Sequence, residues 1–387
     1  MAYDQELSFI YFGPTKIIYG IGSSREVESE MSGLGCRRAV VITDEGILKA
    51  GLLDTVKDAL GKKCVGVFSD VPQDTGMEVV NAGADYARKQ EADVIISVGG
   101  GSVIDTAKGI CILLTEGGVL EDFEGIQLLT RPQTPHIVIP TTAGTGSEVT
   151  WVAVILDKRK GQKILIVEYF NVPRFAILDP KMTEKMPKRL TASTGMDAMS
   201  HAIEALHVIP HEPISDGLAL HALRLLHRYL PVCVENGSDL VARGQVQIAA
   251  TMAGWAFGNA MVGMVHAMAH SIGAVARVPH GIANGILLPH CMLFNLDEAF
   301  ESYAMVAEAF GVREKGSDER NAAKEAIRAL KDFTREIGHP QRLSEMGVQE
   351  SDLEKAAELS MSDGAIVNNP RAITDASGVL DVFKMAF

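Results

Sequence analysis

The chain has 387 residues, 47% apolar and 22% charged, the profile of an ordinary folded protein with room for two domains. Acidic residues outnumber basic ones by 49 to 36, for a net charge of −13, which argues against nucleic acid or an anionic membrane as a partner. The first residues carry Asp4 and Glu6 and no long apolar core, no segment reaches the roughly 18 unbroken apolar residues of a membrane helix, and the five cysteines are scattered without a CxxC pair, so a reducing, cytoplasmic location is expected.

In chain order, Phe12-Gly13-Pro14 and Tyr19-Gly20-Ile21-Gly22 flank a short extended segment suited to a hairpin or an edge strand. Residues 38–43 (RAVVIT) read as a strand and 45–60 as a helix; 65–69 is a strand and 75–91 a helix. Residues 93–98 (DVIISV) form a third strand, stopped by three glycines, with a helix over 102–114; residues 136–140 (HIVIP) form a fourth. Continuous apolar strands separated by helices predict a parallel sheet covered on both faces. After Phe175-Ala176-Ile177-Leu178-Asp179-Pro180 the strands stop, and from about Thr191 the pattern is helical. The predicted organisation is an α/β dinucleotide-binding domain over residues 1–185 and an all-helical domain over 186–387.

Gly99-Gly100-Gly101-Ser102 follows a buried strand and opens a helix. Glycines let a backbone approach a pyrophosphate, the helix start offers free N–H groups, and Ser102 suits an N-cap. The GxGxxG fingerprint is absent. A second loop, Pro140-Thr141-Thr142-Ala143-Gly144-Thr145-Gly146-Ser147-Glu148, also follows a strand, and two such loops on neighbouring parallel strands can clasp one extended ligand. Asp44 ends the first of these strands. It is placed either to accept from ribose hydroxyls, which favours NAD over NADP, or to stabilise the helix start that follows.

In the helical half, Asp197 and His201 lie four residues apart, and His266 and His270 repeat that spacing; His280 follows at an expected turn. Residues four apart share a helical face and can grip one ion. The surroundings are apolar, and a metal would satisfy several buried imidazoles at once. His207, His211, His221, His227 and His290 lack such partners, and they and His136, which stands at the start of a strand, read as structural.

These segments resemble the iron-containing (group III) alcohol dehydrogenases, whose members include lactaldehyde reductase and 1,3-propanediol dehydrogenase. The resemblance runs from Phe12-Gly13-Pro14 through GGGSVIDTAK (99–108), PTTAGTGSEVT (140–150), AILDP (176–180), GMDAMSHAIEA (195–205), VHAMAHSIGA (265–274) and PHGIANGILLPH (279–290) to NPR (369–371). It implies a dehydroquinate synthase-like architecture and a divalent metal held by Asp197, His201, His266 and His280. It makes His270 a non-ligand histidine beside the nicotinamide. On the cofactor side it points to Asp44, Gly100, Gly101, Ser102, Thr141, Thr142, Lys163 and Leu178. Iron(II) is the family's metal, although imidazole with carboxylate suits zinc or another divalent ion as well. Oligomers are common in the family, so a homodimer or larger assembly is expected.

The chain departs from the family at Val71-Pro72-Gln73-Asp74, where many members have a Pro-Asn-Pro turn, and at Trp151 and Val152, where lactaldehyde-type members offer an Asn to the substrate. With Phe257 and Val262, Trp151 and Val152 are expected to line a less polar pocket. The expected reaction is hydride transfer between NAD(H) and a small primary alcohol or aldehyde, with the metal as Lewis acid and His270 relaying the alcohol proton. Two rivals are a lyase of the dehydroquinate synthase type, which needs several inward cations where only Arg243 and Arg277 are candidates, and a non-catalytic nucleotide- or metal-binding sensor.

Overall fold

The computed structural model describes residues 7–159 and 162–387, so Asp4 and Glu6 lie outside the described residues. Two compact units form, Gly13–Met186 and Pro187–Phe387, and the segment up to Phe12 groups with the second. The sequence reading kept that segment with the first domain. Asn259 of the helical unit holds it instead: its Oδ1 accepts from the Phe12 N–H (2.7 Å), and its Nδ2 donates to the Phe12 carbonyl (3.2 Å).

The α/β unit contains β1 (Lys16–Tyr19), α1 (Val27–Gly33), β2 (Ala39–Ile42), α2 (Glu45–Lys49), α3 (Leu53–Leu60), β3 (Cys64–Phe68), α4 (Met77–Lys89), β4 (Val94–Gly99), α5 (Gly101–Glu116), β5 (Gly125–Ile126), β6 (His136–Pro140), β7 (Val152–Asp157), β8 (Gln162–Val167) and β9 (Phe175–Leu178). Six strands make one parallel sheet in the order β1-β9-β6-β4-β2-β3. Alternate residues of β2 serve opposite faces. Val40 and Ile42 pack with Val80 and Ala84 of α4 and Ile110 of α5, whereas Ala39 and Val41 pack with Val27 of α1 and with Leu53 and Val56 of α3. Burial on both faces is why these strands are continuously apolar.

Two details differ from the sequence reading, and a third decides between its alternatives of hairpin and edge strand. The helix expected over 45–60 is two helices, broken at Gly51, which takes a positive φ of 71°. The early extended segment resolves as the edge strand β1, parallel to β9. Residues 152–157 and 162–167, to which no strands were assigned, form the antiparallel pair β7–β8, joined by β5 in a small second sheet. That sheet presents Ala153, Ile155, Ile164 and Ile166 to the core shared with α5; burial alternates along β7, although Val152-Ala153-Val154-Ile155-Leu156 is an unbroken apolar run of strand length.

The helical unit contains α6 (Lys188–His207), α7 (Pro213–Glu235), α8 (Leu240–Ala260), α9 (Met264–Ala276), α10 (His280–Phe294), α11 (Leu296–Phe310), α12 (Glu319–Glu336), α13 (Glu350–Ser360) and α14 (Ala376–Ala386). Helix α6 packs on α7, α8 and α10, and α9 on α10 and α13. His280, expected in a turn, is the first residue of α10. Among the described residues, no single helix is long and apolar enough to cross a membrane.

Candidate metal centre and dinucleotide edge

In the α/β unit, the chain leaves β2 outward to β3, while β4 continues to β6 on the other side. The carboxyl ends of β2 and β4 therefore mark a topological switch point, where open α/β sheets bind ligands. Register brings the candidate residues to that edge. Gly99 lies opposite Pro140, so the glycine turn and the threonine loop leave neighbouring strands at one level, joined by Thr141 N–H to Gly99 C=O (3.0 Å). Asp44 and Leu178 end β2 and β9 at the same edge.

The local roles are more specific than the sequence suggested. Asp44 caps α2 through Oδ1, which accepts from the Ile47 N–H at 2.9 Å; any contact with ribose falls to Oδ2. Gly100, not Ser102, is the N-cap residue of α5, and Ser102 sits in the first turn. A Cβ on Gly101 would lie 2.9 Å from Thr145 Cγ2, and one on Gly100 3.1 Å from Thr142 Cγ2, so these glycines are needed where the two loops cross. Lys163 forms an ion pair with Asp74 at 2.7 Å, in the segment where the chain departs from the Pro-Asn-Pro pattern. Leu178 is buried, and its carbonyl accepts from the Gly20 N–H (3.2 Å).

Behind the two loops lies a fully buried lysine that the sequence reading did not single out. Lys108 Nζ donates to Ser147 Oγ (3.0 Å), Thr150 Oγ1 (3.3 Å) and the Val152 carbonyl (2.7 Å), with Asp105 Oδ1 at 3.5 Å. Burial lowers its pKa, against the pull of Asp105 and Glu148. Lys108 thereby ties α5 to the threonine loop. Trp151 packs on Tyr169, with ring centroids 5.2 Å apart.

In the helical unit, α6, α9 and α10 bring the predicted ligands together. Asp197, His201 and His266 are buried, and each offers an atom within 4.8 Å of the others. His280 Nε2 lies 3.4 Å from Asp197 Oδ1. One carboxylate and three imidazoles, with Asp197, His201 and His266 buried and His280 partly exposed, fit a divalent first-row cation. Burial works against the charge of Asp197, but His201, His280 and His266 outweigh it and hold the carboxyl below its usual range. Burial, followed by the charge of His201, pushes His266 well below the ordinary histidine value, which keeps it in the neutral form that ligates. Phe257 stacks on His201, with centroids 4.0 Å apart and planes 14° apart. Val262 lies between α8 and α9, its carbonyl accepting from Asn368 Nδ2 (3.1 Å).

Three further residues complete the centre. Glu204, on α6, pairs with His266 Nδ1 and accepts from the N–H groups of Gly263 (3.1 Å) and Val265 (2.9 Å). Burial raises its carboxyl, with His207 and the two N–H groups pulling the other way. Asn284 Nδ2 lies 2.7 Å from Asp197 Oδ1, 3.2 Å from His266 Nε2 and 3.1 Å from His280 Nε2. Asp363 Oδ2 is 2.8 Å from Nδ1 of His270, whose ring stacks on His280. Glu204 carried a faint signal, being the second acid of α6, three residues after His201. Asp363 carried none. Of the cations proposed for an anion pocket, Arg243 is committed to Thr191 Oγ1 (2.8 Å) and the Gly237 carbonyl (2.9 Å), and Arg277 is an exposed residue ending α9.

A nucleotide-type sheet edge and a buried Asp/His cation centre together define a metal-assisted oxidoreductase. The chain belongs to the iron-containing alcohol dehydrogenase family: the family model for iron-containing alcohol dehydrogenase matches residues 14–180, and that for the C-terminal part of the Fe-containing alcohol dehydrogenase family matches 191–387. The NAD-dependent methanol dehydrogenase of Bacillus methanolicus is 37% identical, across 94% of this chain and 96% of its own. The 1,3-propanediol dehydrogenase of Citrobacter freundii is 38% identical, across 98% and 99%. A crystal structure of 1,3-propanediol oxidoreductase superposes with a TM-score of 0.95 at 37% identity, covering 98% of this chain and all of that one. Sulfoacetaldehyde reductase from Bifidobacterium kashiwanohense, in complex with NAD+, gives 0.89 at 28% identity, covering 98% and 99%.

Proposed function

We propose that the protein transfers a hydride between NAD(H) and a small primary alcohol or its aldehyde, at an iron(II) centre held by Asp197, His201, His266 and His280. The observation that carries this reading is the convergence of these four side chains from three helices, three of them buried and His280 partly exposed. Bound iron(II) supplies Lewis acidity toward the substrate oxygen, and NAD accepts the hydride. His270 moves the hydroxyl proton: with Nδ1–H donated to Asp363, Nε2 is left to take and release it. Asp363 is itself fixed by the Ala365 N–H at 2.9 Å. Phe257 and Val262 of the helical unit and Trp151 and Val152 of the α/β unit are our candidates for substrate contact, and their apolar character suits short alcohols without a further charged group.

The dinucleotide is assigned to Asp44, Gly100, Gly101, Ser102, Thr141, Thr142, Lys163 and Leu178. The NAD dependence of the methanol dehydrogenase and the NAD+ complex of the sulfoacetaldehyde reductase support the choice of cofactor. Five unpaired cysteines support a reducing compartment, and a cytoplasmic homodimer or larger assembly is our reading.

The test is turnover. Protein loaded anaerobically with iron(II) should form NADH, followed by absorbance, from NAD and one or more C2–C4 primary alcohols or diols. Chelation should abolish the signal and iron(II) restore it. Full turnover in verified metal-free protein would overturn the reading.

A further inference from the structure

We propose that Glu204 is a positioning residue that fixes the tautomer of His266, so that its Nε2 carries the lone pair a cation needs. The inference rests on the cation centre proposed above and assigns a role to a side chain outside the ligand set. Glu204 is fully buried on α6, three residues after His201 and seven after Asp197. Its two oxygens have separate partners. Oε1 accepts both backbone N–H groups at the start of α9, from Gly263 and Val265, and Oε2 pairs with His266 Nδ1.

A neutral imidazole has one N–H. With the proton on Nδ1 and donated to Oε2, Nε2 is left as an acceptor on the side of the ring that faces Asp197 Oδ1, 4.0 Å away. A carboxylate behind a ligating histidine orients the ring and raises its basicity. Here the same carboxylate also satisfies the first N–H groups of the ligand's own helix, so the position of α9 and the proton on His266 are set by one side chain.

The two backbone donors turn this geometry into a discriminating test. Both N–H groups aim at Oε1, so that position must be an oxygen. In Glu204→Gln the carbonyl oxygen is therefore pinned there, and the amide NH2 takes the place of Oε2, facing Nδ1. It would donate to Nδ1 and push the ring proton onto Nε2, where it blocks ligation. A substitution that preserves size and both helix-start hydrogen bonds should thus damage the metal centre selectively. Were Glu204 only a helix cap, glutamine would be a conservative replacement.

Full-length wild type, Glu204→Gln, Glu204→Ala and Asp197→Ala are compared by zinc(II) competition against a chromophoric chelator and by thermal unfolding of the metal-free proteins. Histidine side-chain 15N NMR on the wild type reports its tautomers directly. Glu204→Gln should bind zinc(II) about 10–100-fold more weakly than wild type while unfolding at a higher temperature than Glu204→Ala, and wild-type His266 should show the Nδ1–H form. Wild-type affinity in Glu204→Gln, or an Nε2–H ring in the wild type, overturns the proposal. Wild-type affinity in Asp197→Ala would instead overturn the cation centre itself, so the two failures are distinguishable.

Discussion

His266 and His270 sit one turn apart on α9 but have different partners, and the difference is chemical. His266 is buried between Glu204 and Asp197, whereas His270 is about one-third exposed and held by Asp363. The partners separate the roles: His266 turns Nε2 toward Asp197 and Asn284, where a cation would sit, whereas His270 is paired with Asp363 through Nδ1 and its partly exposed ring can exchange a proton. His266→Ala should therefore lose metal, and activity with it. His270→Ala should keep metal, by elemental analysis, yet lose about 10²–10⁴-fold in kcat, the usual worth of general acid–base help. Asp363→Asn should resemble His270→Ala, because Ala365 N–H pins the amide oxygen and turns the NH2 toward Nδ1. Metal loss from His270→Ala would make it a ligand or an essential support of one.

Between elements, the ligand set depends on how closely α10 approaches α6. Gly281 makes that approach possible: a Cβ there would lie 2.4 Å from the Ser193 carbonyl oxygen and 3.4 Å from Asp197 Cβ. Backbone cannot yield as a flexible side chain can, so Gly281→Ala must push the start of α10, with His280 and Asn284, away from Asp197. Overpacking of this kind costs about 1–3 kcal/mol. The expected outcome is a lower unfolding midpoint together with weaker zinc(II) binding in chelator competition. A variant with unchanged affinity would show that helix spacing does not set the centre. The glycine turn of the α/β unit obeys the same logic, since Gly100 and Gly101 meet Thr142 and Thr145 before they meet any ligand.

Across the whole molecule, buried neutral histidines shape stability against pH. His136, inside β6 with Nε2 2.8 Å from Ser97 Oγ, is pushed down to about 3 by burial and by the charge of Lys108. Burial likewise lowers His207 and His290 to about 4. In the unfolded chain each titrates near 6.5. Between the two values the unfolded state binds protons that the native state refuses, so stability is full above pH 6.5 and falls as pH drops through that window. Each such group contributes a slope of up to about 1.4 kcal/mol per pH unit. His136→Gln should flatten the fall in unfolding midpoint between pH 7 and pH 4.5; equal slopes in variant and wild type would refute this account. Asp363 works with the opposite cause, its carboxyl held low by His270 despite burial, and adds its loss only below about pH 4.

Much of this was legible in the residues alone, because it is local. Apolar runs of strand length announced the central strands, and β6 falls on residues 136–140 as expected. The four-residue spacing of Asp197 and His201 placed both on one face of α6, as an α-helix requires whatever surrounds it. The strands at 152–157 and 162–167 carried the same kind of signal, the apolar runs VAVIL (152–156) and ILIV (164–167), but an apolar run does not say which sheet a strand joins, and these pair antiparallel outside the main one. Local spacing also could not say which loop the glycines had to clear, that Lys163 pairs with Asp74, or that Gly100 takes the cap expected of Ser102. Least of all could it find Asp363, 93 residues from His270, or the meeting of Glu204 with the start of α9. The sequence by itself determined the central strands and which side chains are of a type and spacing to hold a cation. Only the tertiary structure decided how each of those side chains is turned and which group it meets, because hydrogen bonds between buried groups depend on how closely helices approach, which no periodicity records.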